Sequence, residues 1–260
     1  MQKGLTAFQL KILGITLMVC DHIHQMFALE GAPIWLTMIG RIVAPVFLFL
    51  SAEGFHYTRN KLAYLRNLLV GFWIMSVIQQ VLSRLVPNDE IVLMNNIFGT
   101  LFIAVLLMYA VDLLKTGLAT KSTKKWISGL AIILGVIGYG FGLLLLFENS
   151  DLVMIAVYGS MIIPNIVFVE GGFLMVLLAL FFYLFRGKKS LQLLALAIVA
   201  LISTGFSFQD LFLSNFQWMM LFAAIPLYFY NGQEGRKMKW FFYFFYPAHL
   251  VILYLLATWL

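Results

Sequence analysis

The chain has 260 residues, of which 63% are hydrophobic and only 11% charged, and its formal net charge is +6. No soluble core of this size absorbs so much apolar surface, so composition points to an all-α polytopic membrane protein folded as one integral membrane domain, 1–260. The excess positive charge then reads as membrane orientation and not as a nucleic-acid footprint, and the single cysteine, Cys20, excludes an intrachain disulfide or a thiolate metal cluster.

The first apolar run, 7–29, carries Asp21, His22 and His24 near its far end and lacks a small-residue cleavage site, which makes it a retained span and not a removable signal peptide. Lys11 and His22 lie eleven residues apart on it. That is about three helical turns, so the two share a face, about 16 Å apart along the axis. A cation at the rim and a titratable base in the interior, separated by the reach of a phosphopantetheine arm, is what a membrane enzyme needs to hold the phosphates of an acyl-CoA while working on its thioester. His24 lies about 200° around the helix from His22, so the two make no metal pair and no metal site is expected. Asp21, on the neighbouring position, is better placed for His24 or Gln25, and the partner of His22 is expected from another helix.

A second span, 33–54, brings Arg41 about 12 Å in from the outer side, close to the depth that Asp21 reaches from the inner side. Ionisable groups at membrane depth cost roughly 2.5–3.5 kcal/mol each on insertion scales, so their clustering implies a cavity with a use; the plainer reading is a pair that neutralises itself and clamps two helices. His56, after Glu53, falls at the inner interface as a solvated side chain. The third and fourth spans, 63–86 and 94–114, bring Gln79, Gln80, Asn95 and Asn96 to a comparable level.

Further spans are expected at 126–147, 171–185, 190–206, 215–230 and 239–259. The stretch 152–169 is apolar but flanked on both sides by acidic residues, and with Gly159, Pro164 and Asn165 it reads as a re-entrant or interfacial element; a tenth full span is the alternative. On the last span His249 lies near mid-depth beyond the helix-kinking Pro247, and core packing is its expected job. Every cation except Arg41 and Arg84 falls on alternate junctions, from Lys3 and Lys11 through Arg59, Lys61 and Arg66 to Arg236, Lys237 and Lys239. The acidic residues Glu30, Asp89, Glu90, Glu148, Asp151, Glu170 and Asp210 occupy the opposite junctions. These assign a bundle of about nine to ten membrane helices, in the cell membrane, with a cytoplasmic N-terminus.

The run KILGITLMVCDHIHQMF, the following GRIVAPVFLFLSAEGFHYTRNKLAYLRNLL, and AIPLYFYNGQEGRKMKWFFYFFYPAHLVILYLL at the other end resemble the TraX family, whose namesake acetylates the N-terminus of conjugative pilin. The likeness is strong over 8–70 and 171–260. The first helix also resembles the wider transmembrane acyltransferases, in which a basic residue precedes a histidine by ten intervening positions, as Lys11 precedes His22; many of that group have arginine where this chain has lysine, which argues against bidentate phosphate binding there. The resemblance implies a cytoplasmic acyl-CoA donor such as acetyl-CoA, an acceptor on the far side, and an intramembrane histidine at the transfer point.

Residue chemistry agrees with that implication. Neutral imidazole serves acyl transfer as base or as nucleophile, and His22 is the expected catalyst, with Asp21 and Arg41 in the same site. Arg41, or an amide such as Asn95 or Gln79, would steady the carbonyl oxygen as charge builds on it. Lys11, Arg59 and Arg66 would meet the CoA phosphates, although all three also serve simply as topology determinants. The acceptor amine or hydroxyl belongs to a pilin, peptide or glycan, and the remaining partners are membrane lipids. Two other classes fit the same residues: a proton-coupled transporter or channel with an Asp/His/Arg relay, and a structural subunit of an envelope machine.

Overall fold

The computed structural model describes residues 4–93 and 96–259, so Lys3 and Asn95 lie outside the described residues. Among the described residues the chain is all-helical, with no strand beyond a lone bridge between Leu5 and Tyr230. Helices α1 (Ala7–Phe27), α2 (Trp35–Gly40), α3 (Val43–Tyr57), α4 (Lys61–Leu85), α5 (Ile97–Ala119) and α6 (Thr123–Phe147) are followed by α7 (Val153–Ile162), α8 (Gly172–Leu184) and α9 (Lys189–Ile202). A 3-10 segment (Gln217–Ala223) runs into α10 (Ala224–Tyr228), and α11 (Lys239–Trp259) closes the chain.

Each expected apolar run contains a helix. Among the described residues, five stretches are long and apolar enough to cross a membrane: Trp35–Tyr57, Lys61–Leu85, Ile97–Ala119, Thr123–Phe147 and Trp240–Trp259. The protein is a multi-pass membrane protein. Its outward surface agrees: α4 exposes Val70, Ile74, Val77 and Val81, and α6 exposes Leu134, Ile137, Phe141 and Leu145, patches that a water-soluble protein would not leave open. Trp35, Trp126, Trp240 and Trp259 are exposed near helix ends, where indole rings sit at membrane interfaces.

Two compact units divide the chain, with boundaries inside α3 and α4. The first comprises 1–50, 78–94 and 185–260. Its α1 opens on a capping box in which the Gln9 N–H donates to Thr6 Oγ1 and the Thr6 N–H to Gln9 Oε1. The next orphan donors of that terminus are taken by protein carbonyls, Ala7 N–H by Gln233 (2.8 Å) and Phe8 N–H by Glu234 (3.0 Å). Gly235 lets this loop close: its φ is +71°, and a Cβ there would meet Thr6 Oγ1 at 2.8 Å. Leu10, Gly14, Met18, His22 and Met26 recur every fourth residue and form the buried row of α1.

The run expected at 33–54 is broken between α2 and α3, and Pro45 supplies the cause. It has no N–H to offer the Arg41 carbonyl, and the turn before it tightens, with Arg41 and Ile42 donating three residues back to Met38 and Ile39 (both 3.3 Å).

In the second unit, 51–77 and 95–184, the stretch 152–169, expected to be re-entrant, holds the ten-residue α7 followed by irregular backbone. Ten residues span only about 15 Å, half a hydrocarbon core. Carbonyls in the segment and just after it are met by side chains from its neighbours: Trp73 Nε1 donates to Ile162 (2.7 Å), Tyr139 Oη to Gly159 (2.7 Å), and Thr100 Oγ1 to Glu170 (2.7 Å). Asn165 Oδ1 accepts from the Val167 N–H at 2.7 Å and fixes a local turn after α7. Irregular backbone survives at membrane depth only when satisfied in this way.

Candidate active site

The site lies in the first unit, where α1 meets α2 on one side and α11 on the other. His22 is 2% exposed and His249, arriving from α11, 7%. His22 Nδ1 and His249 Nε2 are 2.7 Å apart. The ring planes lie within 18° of each other and the centroids are 5.0 Å apart, which is the nitrogen separation plus the two ring radii. The contact therefore runs along the rings and is a hydrogen bond, not a face-to-face stack. Tyr246 closes over both, edge-on, with ring centroids 6.4 Å from His22 and 5.7 Å from His249. The expected partner from another helix is thus His249, and the expectation that His249 merely packs the core is corrected.

The second imidazole is anchored in turn. His249 Nδ1 donates to the Phe245 carbonyl at 2.9 Å, one turn back across Pro247. A carbonyl only accepts, so this bond assigns the proton of a neutral His249 to Nδ1.

One helical position away, Asp21 turns to α2. Arg41 Nη2 lies 2.6 Å from Asp21 Oδ1 and 2.8 Å from Oδ2, and Thr37 Oγ1 donates to the same Oδ1. Arg41 Nε donates to the Thr37 carbonyl (3.1 Å), Nη2 also to Thr37 Oγ1 (3.1 Å), and Nη1 to Gln217 Oε1 (3.3 Å), while the guanidinium stands 5.9 Å from the Phe216 ring. The helices approach this closely because of Gly40, where a Cβ would lie 2.4 Å from that of Asp21. The Asp21 and Arg41 of the sequence reading are therefore brought together. The partners expected for Asp21 are corrected: His24 Nδ1 faces the Ala32 carbonyl at 2.9 Å and fastens the turn after α1, while Gln25 is exposed.

At the other end of α1 Lys11 is half-buried, its Nζ 5.3 Å from the centroid of Phe242 on α11. Because carbonyls of the 231–235 loop occupy the first N–H groups of α1, any anion held here meets side chains and not the bare helix terminus. Arg236 and Lys237 of this unit are exposed, with Lys237 Nζ 3.9 Å from Glu234. Arg59 and Arg66 are exposed residues of the second unit, as is His56, at the end of α3. Gln79 is half-buried on α4; Asn96, in the second unit, donates to the Phe72 carbonyl at 3.1 Å.

Sequence reading missed Thr37 and Gln217 as well as the role of His249. Thr37 stands one helical turn before Arg41, a spacing that puts both on one face, and was a readable signal. Gln217 is one polar residue in an apolar run, with nothing in the sequence to pair it with Arg41.

Comparison with known proteins agrees with the resemblance. Over 68 residues the chain is 38% identical to a protein of Dichelobacter nodosus described as probable fimbrial assembly protein FimC, serogroup H1; the match covers 25% of this chain and 27% of that protein. No solved structure matches. The family model described as TraX protein matches residues 7–257, and the chain belongs to that family.

Proposed function

We propose that this TraX-family membrane protein is an acyltransferase that moves an acyl group, acetyl in the simplest case, from cytoplasmic acyl-CoA to an amine or hydroxyl on the far side of the cell membrane. The observation that carries the reading is the buried His22, held by a hydrogen bond from a second helix and in line with Lys11 on the same face of α1. In the reaction His22 takes the proton of the acceptor as its nitrogen or oxygen attacks the thioester carbonyl. The C–S bond breaks and the CoA thiolate leaves with that proton. Arg41 supplies positive charge beside the transfer point, and Lys11 meets the CoA phosphates. The family's namesake activity and the fimbrial relative's name favour a pilus protein as acceptor. The alternating basic junctions support a cytoplasmic N-terminus, which opens the Lys11 end to CoA.

The test uses purified protein in lipid nanodiscs. Acetyl-CoA is expected to raise the melting temperature of wild type and of His22→Ala alike, and less so that of Lys11→Ala, while transfer of radiolabelled acetyl to an acceptor peptide is lost in His22→Ala. Wild-type turnover by His22→Ala would remove this histidine from the chemistry. Ion-driven uptake by vesicles with no CoA binding would make the protein a transporter.

A further inference from the structure

We propose that His249 is a positioning residue that fixes the tautomer of His22, so that the two imidazoles hold and move one proton as a unit. The inference rests on the reading of His22 as the base. Phe245 C=O only accepts, so His249 Nδ1 carries a proton; a neutral His249 then presents a lone pair at Nε2. Across 2.7 Å that lone pair needs a donor, which places the proton of His22 on Nδ1 and leaves Nε2 as the basic nitrogen. No other arrangement of two neutral rings satisfies both contacts.

The order matters for catalysis because the side of the ring that accepts a proton is decided before substrate arrives. When His22 Nε2 takes the proton of the acceptor, its Nδ1–H to His249 becomes charge-assisted and shortens. The proton on that bond can pass to His249 Nε2, which keeps its own Nδ1–H on Phe245, and the charge is shared between two rings. Transfer back releases the proton through His22 Nε2 to the departing thiolate, so atoms and charge balance over one turnover. Packing alone accounts for neither feature: the rings meet along their edges, nitrogen to nitrogen, and the second ring is itself held by a backbone acceptor.

The chain has four histidines, His22, His24, His56 and His249, so 15N-histidine labelling of the full protein in nanodiscs gives a spectrum that single substitutions assign. In wild type the His22 signals are expected to report a proton on Nδ1. In His249→Leu it shifts to Nε2, the form favoured by a free histidine side chain, whereas His249→Gln keeps it on Nδ1 through its side-chain carbonyl. With acetyl-CoA and an acceptor peptide, His249→Leu is expected to lower kcat about 100-fold, within the range of general-base contributions, at unchanged KM for acetyl-CoA, and His249→Gln to recover at least about 10-fold of that loss. A wild-type His22 protonated on Nε2, or one whose proton stays put in His249→Leu, overturns the proposal. So does equal activity loss in the leucine and glutamine variants. If the proton moves as expected but His22→Ala remains active, the tautomer assignment stands and the catalytic reading falls.

Discussion

Arg41 spends most of its hydrogen-bonding capacity on its own protein. Its bonds to Asp21, Thr37 and Gln217 engage, among the described residues, all but one of the five guanidinium N–H groups, and the side chain is 26% exposed against 17% for Asp21. One N–H on Nη1 is thus left for a ligand oxygen. Removing a single partner leaves a poorly solvated charge behind, which costs about 3 kcal/mol for well-buried pairs and less at this exposure. Asp21→Asn and Arg41→Gln are each expected to lower the melting temperature of the detergent-solubilised protein, and the double substitution to restore it. Acyl transfer is expected to stay lost in the double variant, because the stabilising charge is gone whether or not the fold survives. A stable and active double variant would reduce the pair to a helix clamp. The pair itself was legible in the sequence: both residues are costly at membrane depth and reach the same level on successive helices. The histidine pair was not, since 227 residues separate its members and an isolated histidine on a Phe-rich helix reads as packing.

At the scale of elements, apolar runs marked where helices form, because lipid demands unbroken intrahelical hydrogen bonding. Helix ends were harder to read. The run expected to 206 stops at Ile202, where Ser203 Oγ donates to the Ala200 carbonyl and Thr204 Oγ1 to that of Leu201, local bonds that compete with the helical ladder. The run 215–230 begins as a 3-10 turn, and Pro226 denies the Phe222 carbonyl its helical donor. The polar and proline residues responsible are visible in the sequence, but their bonds depend on backbone geometry that periodicity does not encode. The α7 segment tests the same logic. Tyr139 Oη bonds the Gly159 carbonyl and, at 3.3 Å, that of Ile163, so Tyr139→Phe is expected to cost about 1 kcal/mol locally. Hydrogen exchange should quicken over 159–168 and stay unchanged in α1. Uniform exchange in the two proteins would mean that packing alone holds this segment.

For the whole molecule, the proposed transfer requires that CoA and acceptor approach from opposite sides, so topology is the last thing the proposal must survive. On the proposed orientation, the basic Thr123 and Ser190 junctions lie in the cytoplasm and Asp89 and Ser150 lie outside. That assignment holds only if α7, too short at ten residues to cross a core of about 30 Å alone, returns to the side it left. Were it to cross with help from the irregular stretch, Ser190 would move outside, every later basic junction would follow, and the loop at the N-terminus of α1 could not share the cytoplasm with the residues that cap it. The bonds from Gln233 and Glu234 to Ala7 and Phe8 tie that loop to the start of α1, so both must lie on one side, and an even number of crossings must separate them. Substituting the one cysteine, Cys20→Ser, gives a background for single-cysteine reporters at Asp89, Thr123, Ser150 and Ser190, all exposed. A membrane-impermeant maleimide applied to intact cells is expected to label positions 89 and 150 and to spare 123 and 190 until the cells are permeabilised. Labelling at 190 alongside 150 would show that α7 crosses, and would set the basic loop before α11 against both the charge rule and its own hydrogen bonds to α1.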